Sequence, residues 1–491
     1  MAHILTIDQG TTGSTALVMD GRGRVVSRAY SEFTQFFPKP GWVEHDAEEI
    51  WKVSLKVMRL ALRRAAVAPE GVAAIGITNQ RETVVVWDRR TGKPVQRAIV
   101  WQDRRTAARC EELRGAGRLR MVKNRTGLVL DPYFSGTKIE WILQKNRGLL
   151  RRAAKGELAF GTIDSWLVWK LSGGEVHATD YTNASRTLLY DIHRRRWDPE
   201  LCAMLHVPES MLPEVRPSAG EFCRTAKGLF GKTRIPVTGI AGDQQAALFG
   251  QLCVKPGMVK NTYGTGCFAL MPVAKRPKVS KHGLLTTLAC GSAGDPIYAL
   301  EGSVFVAGAA LQWLRDGLGI LKTASESEAL ARSLRSNDGV YLVPAFAGLG
   351  TPYWNAEARG AIVGLTRGNG RAHLARAALE AIAYQSREVI DALAADTGAR
   401  LREVRVDGGA SANDFLMHFQ ADQLGVAVNR PRVVETTAMG AAFLAGIGAG
   451  LWKPAQLEKM RVRDRVFRPK MAAAERASLF AGWQAAVARV L

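Results

Sequence analysis

The stretch that most constrains the fold is Ile235-Pro-Val-Thr-Gly-Ile-Ala-Gly-Asp-Gln-Gln-Ala-Ala-Leu-Phe-Gly250. Its first half is a short apolar run rich in β-branched residues, which predicts a buried strand over residues 235–241. Gly242 permits a sharp turn, residues 244–249 are mostly good helix formers, and Gly250 is placed to end the helix. Asp243 therefore falls at a strand-to-helix turn near the middle of the chain. Two readings are open for it on these residues alone. One is an N-cap carboxylate that binds orphan helix N–H groups. The other is a functional carboxylate at the carboxyl end of a strand, where open α/β sheets place their ligands.

The chain opens with a related pattern. Residues 4–8 predict a strand ending in Asp8, residues 9–13 a polar turn, and residues 14–20 and 25–27 two further strands. The result is a three-stranded meander with a glycine- and threonine-rich tip, able to present backbone N–H groups and hydroxyls to a phosphate. The pattern returns at residues 259–271. Thr12-Gly-Ser-Thr-Ala-Leu-Val18 and Thr265-Gly-Cys-Phe-Ala-Leu-Met271 share four of seven positions, about half a chain apart. A duplicated domain accounts for both, with a boundary near residues 251–256.

Between these segments, residues 72–87 read as strand, turn and strand, with Asn79-Gln-Arg-Glu82 at or near the turn. Residues 98–101 form another short strand, and residues 128–134 a loop carrying Tyr133 into a helix through Lys138 and Trp141. Later, residues 302–313 predict a helix of small residues. A strand over residues 404–407 runs through Gly408-Gly-Ala-Ser-Ala-Asn413 into a helix, and residues 436–450 predict a tightly packed helix. The second strand–glycine–helix junction suits a nucleotide. The order is α/β throughout. Gly231-Lys-Thr233 is no P-loop, because Ala226 takes the place of the first glycine and a strand follows where a helix is required. No G-x-G-x-x-G opens a βαβ unit, which argues against a dinucleotide enzyme.

Composition narrows the class. A chain of 491 residues, 47% hydrophobic and 23% charged, suggests two or three globular domains. No uncharged apolar run approaches the ~20 residues of a membrane span. Six scattered cysteines without C-x-x-C fit reduced thiols in the cytoplasm rather than a disulfide frame or a zinc site. The net charge of +22 is spread over scattered arginine pairs without a nucleic-acid-binding motif. Solvated helix faces account for most of it, and no nucleic-acid role is expected.

Two carboxylates at strand ends, two Gly/Thr hairpin tips and a Gly-Gly helix entry form the pattern of the actin, sugar kinase and chaperone ATPase superfamily. Asp8-Gln-Gly-Thr-Thr, Gly76-Ile-Thr-Asn-Gln-Arg-Glu-Thr83, Ile240-Ala-Gly-Asp-Gln-Gln-Ala-Ala-Leu, Asn261-Thr-Tyr-Gly-Thr-Gly266 and Asp407-Gly-Gly-Ala-Ser-Ala-Asn413 resemble motifs of the glycerol kinase family, a branch of the FGGY carbohydrate kinases. Pro40-Gly-Trp-Val-Glu-His-Asp46, Trp101-Gln-Asp-Arg-Arg-Thr106 and Gly360-Ala-Ile-Val-Gly-Leu365 extend the resemblance, in order, from about residue 3 to 452. It implies an α/β fold of two duplicated ribonuclease-H-like (actin-like ATPase) domains, 1–251 and 252–491, flanking a central cleft. It implies ATP-dependent phosphorylation of glycerol to sn-glycerol 3-phosphate, and a homodimer or homotetramer.

Carried over, the family's glycerol site falls on Arg81, Glu82, Tyr133, Asp243 and Gln244, with Trp101 and Phe268 covering the carbon chain. Its nucleotide site falls on Thr11, Thr12, Gly13, Thr265, Gly308, Gln312, Gly409 and Asn413. Asp8 is implied to hold Mg²⁺ and Asp243 to act as the base. There are departures: Thr15 stands where many relatives carry a phosphate-contacting arginine, and Gly13 where they carry serine. Lys232 replaces a glycine in a loop that binds fructose 1,6-bisphosphate in some bacterial relatives, although Arg234 remains. No histidine lies between His206 and His282, where another branch is phosphorylated. A kinase of the same fold acting on another polyol, and a nucleotide-driven binding protein of the actin or chaperone type, are the competing expectations.

Overall fold

The computed structural model describes residues 2–145, 147–273, 279–355 and 357–491. The chain divides into two compact units. The first holds Met1–Val254 together with Thr286–Tyr298 and Thr436–Arg461; the second holds Lys255–Leu285, Ala299–Glu435 and Val462–Leu491.

The first unit is built on a six-stranded sheet in the order Ala219–Arg224, Pro236–Gly242, Val72–Asn79, His3–Gln9, Gly13–Asp20, Val25–Glu32. The last three strands are the expected antiparallel meander. His3–Gln9, Val72–Asn79 and Pro236–Gly242 run parallel, so their carboxyl ends share one edge. The inner two read as near-continuous apolar runs because both faces are covered. Ile75 and Ile77 join a core with Ile50, Val57 and Met58 of the helix Ala47–Arg64, which Asp46 caps by accepting from the N–H groups of Glu48 and Glu49. The alternate residue, Gly76, looks to the other face, where a Cβ would lie 2.3 Å from the carbonyl oxygen of Ala441. That face is covered by the helix Thr436–Gly448, whose small residues bring backbone against backbone.

The second unit repeats the connectivity. Met258–Tyr263 pairs antiparallel with Cys267–Pro272 and parallel with Glu403–Asp407, which pairs parallel with Ala427–Pro431. The helices Arg371–Thr397 and Asp414–Leu424 pack together in this unit. This is the duplicated α/β fold expected from the two hairpins.

One local expectation is corrected. Residues 302–313 are not one helix: Gly302, Ser303 and Val304 end the strand Pro296–Val304, opposite Ala269, Phe268 and Cys267, and the helix starts only at Gly308, α-helical to Gln312 and continuing as a π-helical turn, Trp313–Gly317. Small residues carry no clear period, and strand pairing decides. Residues 72–87 hold the expected strand, turn and strand, Val72–Asn79 and Val85–Asp88. Val85–Asp88 leaves the sheet and pairs with Leu158–Gly161, so residues 79–82 form a buried corner. Among the described residues no helix is long and apolar enough to cross a membrane. All six cysteines are free and buried.

Candidate active site

The carboxyl edge of the three parallel strands gathers the charged residues singled out in the first unit. Asp8 stands in register with Thr78, and Thr78 with Ala241. Two strand spacings of about 4.8 Å put the backbones at Asp8 and Ala241 about 10 Å apart along this edge. Beyond it, Val72–Asn79 delivers Arg81 and Glu82, and Pro236–Gly242 delivers Asp243.

Asp243 is the first residue of the helix Asp243–Gly250; the cap position belongs to Gly242, with no side-chain cap bond. Its Oδ1 accepts from the adjacent Gln244 N–H at 2.7 Å and lies 3.1 Å from Arg81 Nε, an ion-pair contact. The side chain is 30% exposed, against 1% for Arg81. Asp243 thus binds one N–H of its helix terminus and faces Arg81 with the same oxygen. The Arg81 guanidinium engages Asp243, Gln245 Oε1, to which Nη1 donates at 3.0 Å, and Tyr133 Oη, to which Nη2 donates at 3.3 Å.

Glu82 is as deeply buried as Arg81. Its backbone takes φ +62°, a left-handed conformation that costs a non-glycine residue about 1–3 kcal/mol. Oε1 accepts from Arg186 Nε at 2.6 Å and lies 3.8 Å from Arg81 Nε, while the carbonyl accepts from Ser135 Oγ at 3.1 Å. Tyr133 packs edge-on against Trp101, with ring centroids 5.6 Å apart. The Trp101 indole N–H donates to Thr11 Oγ1 at 2.9 Å, tying this aromatic pair to the tip of the first hairpin. Gln244 is buried beside Asp243. Arg81, Glu82, Tyr133, Asp243, Gln244, Trp101 and Thr11 are thus neighbours in one unit.

The rest of the hairpin tip is tight. Gly10 N–H donates to Gly13 O at 2.9 Å, and a Cβ on Gly13 would meet the Tyr30 ring at 2.7 Å. Glycine at position 13 is the residue that leaves room for Tyr30, the cross-strand partner of Thr15. Thr12 is exposed at the tip.

The remaining sequence candidates lie in the second unit. Thr265 is exposed at the tip of the second hairpin; Gly308 N–H donates to Gly264 O at 3.0 Å, and a Cβ there would sit 2.6 Å from that oxygen. Gly308 and Gln312, four residues apart, share one face of their short helix. Gly409 opens the turn after Glu403–Asp407, where a Cβ would meet nothing within 4 Å. Asn413 caps the next helix, accepting from Leu416 N–H at 2.9 Å. Phe268 is half-buried on Cys267–Pro272, paired with Thr262 and Ser303.

Comparison with known proteins settles the family. The FGGY carbohydrate kinase N-terminal domain matches residues 3–250 and the C-terminal domain residues 259–449. The chain belongs to the FGGY family of carbohydrate kinases. It is 54% identical to "Glycerol kinase 2" of Thermotoga maritima, covering 100% of this chain and 99% of that one, and 57% identical to "Glycerol kinase" of Carboxydothermus hydrogenoformans, covering 99% and 98%. Among solved structures, Plasmodium falciparum glycerol kinase with ADP aligns with a TM-score of 0.92 at 36% identity, over 100% of this chain and 98% of that one. The resemblance drawn from the motif blocks is the one these comparisons return.

Several residues at the site of this FGGY kinase escaped the sequence reading. Asp180 caps a single helical turn, Tyr181–Ala184, and accepts from Ser218 Oγ at 2.6 Å. From that turn Asn183 Nδ2 donates to Asn79 Oδ1 at 3.2 Å, and Thr182 Oγ1 accepts from Gly242 N–H at 2.9 Å. Two residues on, Arg186 meets Glu82. One segment, residues 180–186, therefore braces the ends of both charge-bearing strands. Lys138 is fully buried and donates to the carbonyls of Tyr133, at 2.6 Å, and Pro132, at 3.1 Å; burial pushes its pKa down to about 8, against the nearby carboxylates of Glu82, Asp103 and Asp131. Burial, with the like charge of Asp180, pushes Asp164 up to about 7. The available sequence signal was a lone Arg186 and a lone Lys138 in otherwise apolar or small-residue stretches.

Proposed function

We propose that this kinase transfers the γ-phosphoryl group of ATP to glycerol, giving sn-glycerol 3-phosphate. The observation that carries the reading is the arrangement around Arg81: one guanidinium flanked by Asp243, Glu82 and Tyr133 within a single unit. A three-carbon triol presents three hydroxyls, each donor and acceptor, and needs both kinds of partner. Arg81 donates only, the two carboxylates accept, and Tyr133 does either. Trp101 beside Tyr133 supplies an apolar wall for the carbon chain, with Phe268 and Gln244 completing the set by resemblance. Relatives named glycerol kinase, more than half identical over the full chain, support the same substrate.

Asp243 is the base in this reading. Its carboxylate is partly exposed and oriented through Oδ1 by Arg81, which suits it to take the proton of the attacking hydroxyl. A positioned base adds about 10²–10⁴-fold, and orientation of the two substrates ~7–11 kcal/mol. The nucleotide falls to Thr11, Thr12 and Gly13 of the first hairpin, with Thr265, Gly308, Gln312, Gly409 and Asn413. The functional division thus follows residues 1–251 for the polyol and 252–491 for most of the nucleotide. Asp8, half-exposed at the strand edge, fits Mg²⁺ bound largely through water, since Mg²⁺ keeps much of its hydration shell on phosphates. Bound there, Mg²⁺ would offset phosphate charge as the terminal group leaves. Six buried thiols suit the reducing cytoplasm. A homodimer or homotetramer rests on the resemblance.

A panel of polyols and ketoses with ATP and Mg²⁺, followed by phosphorus NMR, tests the reading. Glycerol is expected to be the preferred acceptor, with sn-glycerol 3-phosphate and ADP in equal amounts. Preference for another polyol, or nucleotide binding without any phosphorylated product, would overturn it.

A further inference from the structure

The buried charges around Glu82 raise a problem of positioning. A carboxylate this deeply buried is stable in its charged form only when paired and hydrogen-bonded. Its neighbour Arg81 also engages Asp243, Gln245 and Tyr133, with Nε 3.8 Å from Glu82 Oε1. The close partner is Arg186, whose Nε donates to Oε1 at 2.6 Å and whose side chain is fully buried. The same guanidinium lies over the rings of Tyr133, at 5.6 Å, and Phe134, at 5.2 Å. Arg186 lies two residues beyond the braced turn Tyr181–Ala184, and its N–H donates to Asn183 O at 3.0 Å, which ties its backbone to the turn held by the Asp180, Asn183 and Thr182 bonds.

We propose that Arg186 is the positioning residue of the polyol site: it holds the Glu82 carboxylate charged and aimed, and supports the Tyr133 ring, so that both meet the substrate hydroxyls in one fixed geometry. The proposal deepens the functional reading above and rests on it for the identity of the site. Two features favour this over plain structural packing. Arg186 touches two of the residues that would bind the polyol, through chemically different contacts. It also offsets the left-handed backbone at Glu82, a conformation that persists only where the surroundings over-determine it. The groups facing Glu82 are Arg81 and Arg186, with Lys138 contributing charge from the helix Ser135–Gln144; Asp243 and Tyr133 reach it through Arg81.

The test compares wild type, R186M, R186K and E82Q, and the double variant E82Q/R186M, using whichever polyol the wild type phosphorylates. Failure with glycerol itself would thus count against the functional reading, not against the role of Arg186. R186M is expected to raise the polyol KM about 10- to 100-fold while the ATP KM changes less than about twofold. Its polyol KM should also climb toward acid pH where that of the wild type stays flat, because a buried carboxylate without its cation takes up a proton more readily. R186K keeps the charge and should recover the flat pH profile, though not full affinity, since lysine lacks the planar fork. If R186M does not fold, R186K and the cycle of E82Q with E82Q/R186K carry the same comparison. In the cycle, the arginine substitution should have a smaller further effect once Glu82 is neutral, the remainder coming from the Tyr133 contact. Additive effects of the two substitutions, parallel rises in both KM values, or an unchanged polyol KM in a folded variant would each overturn the proposal.

Discussion

Gly242→Ala tests the contribution of Arg81 placement without removing a polar atom. Gly242 has φ −59° and ψ 151°, a backbone conformation open to any residue, so alanine brings no backbone strain. What it brings is volume. A Cβ at this position lies 2.7 Å from both Cγ and Cδ of Arg81 and 3.2 Å from Gln245 Oε1. Carbon pairs rest at about 3.5–4.0 Å, so Arg81 must retreat by roughly 1 Å. The atoms struck are mid-chain, and the side chain is 1% exposed, with its far end engaged by Gln245 and Tyr133. The shift is therefore transmitted to the guanidinium and opens the 3.1 Å contact with Asp243. A misplacement of about 1 Å at a reacting group costs about 10²-fold, so kcat/KM for the polyol should fall by that factor, near 2.7 kcal/mol. Overpacking should lower stability by about 1–3 kcal/mol, leaving a folded enzyme. Initial rates against polyol at saturating ATP, with thermal unfolding alongside, give both quantities. A folded variant with kcat/KM within threefold of wild type would refute the claim that this pair is held in register by the missing methyl group.

Asp243→Asn should lower kcat by about 10²–10⁴-fold while nucleotide affinity, measured by titration with ADP, is nearly unchanged. Gly440→Ala places a Cβ 1.8 Å from the carbonyl oxygen of Ala246, backbone against backbone, and should destabilise the fold by about 3 kcal/mol in urea unfolding. Asp164, pushed up to about 7 from an ordinary 3.8, favours the folded state most below pH 3.8 and loses that contribution as pH rises through 7. The stability difference between wild type and Asp164→Asn, followed by denaturant titration from pH 5 to pH 8, should therefore shift against the wild type.

These sites separate what the sequence could show from what it could not. The strand–glycine–helix run around Asp243 and the two hairpins were legible because their signals are local: β-branched runs, glycine turns and a repeated tip. The helix expected over residues 302–313 failed for want of such a signal, since Gly302, Ser303 and Val304 fit either element until Cys267–Pro272 pairs with them. Arg81-Glu82 reads locally as a solvated charge pair, yet both are buried. The partners that make this tolerable, Gln245 and Arg186, lie more than 100 residues away. Residues 436–448 read correctly as a tightly packed helix, but nothing in them says that they cover the first sheet rather than their neighbours in sequence.

The charge arrangement bears on which carbohydrate such a site takes. The side chains of the proposed polyol site and its positioning residue carry formal charges that cancel: Arg81 and Arg186 against Glu82 and Asp243. Lys138 adds one more cation, whose ammonium is engaged by two backbone carbonyls. A sugar acid would need a cation to spare, and every cation here faces a carboxylate or a carbonyl of its own. A neutral polyhydroxyl ligand needs only donors and acceptors in fixed places, which balanced, buried ion pairs supply without a net field. The same balance makes the site sensitive to the loss of any one member, because removing a single charge leaves its partner buried and uncompensated.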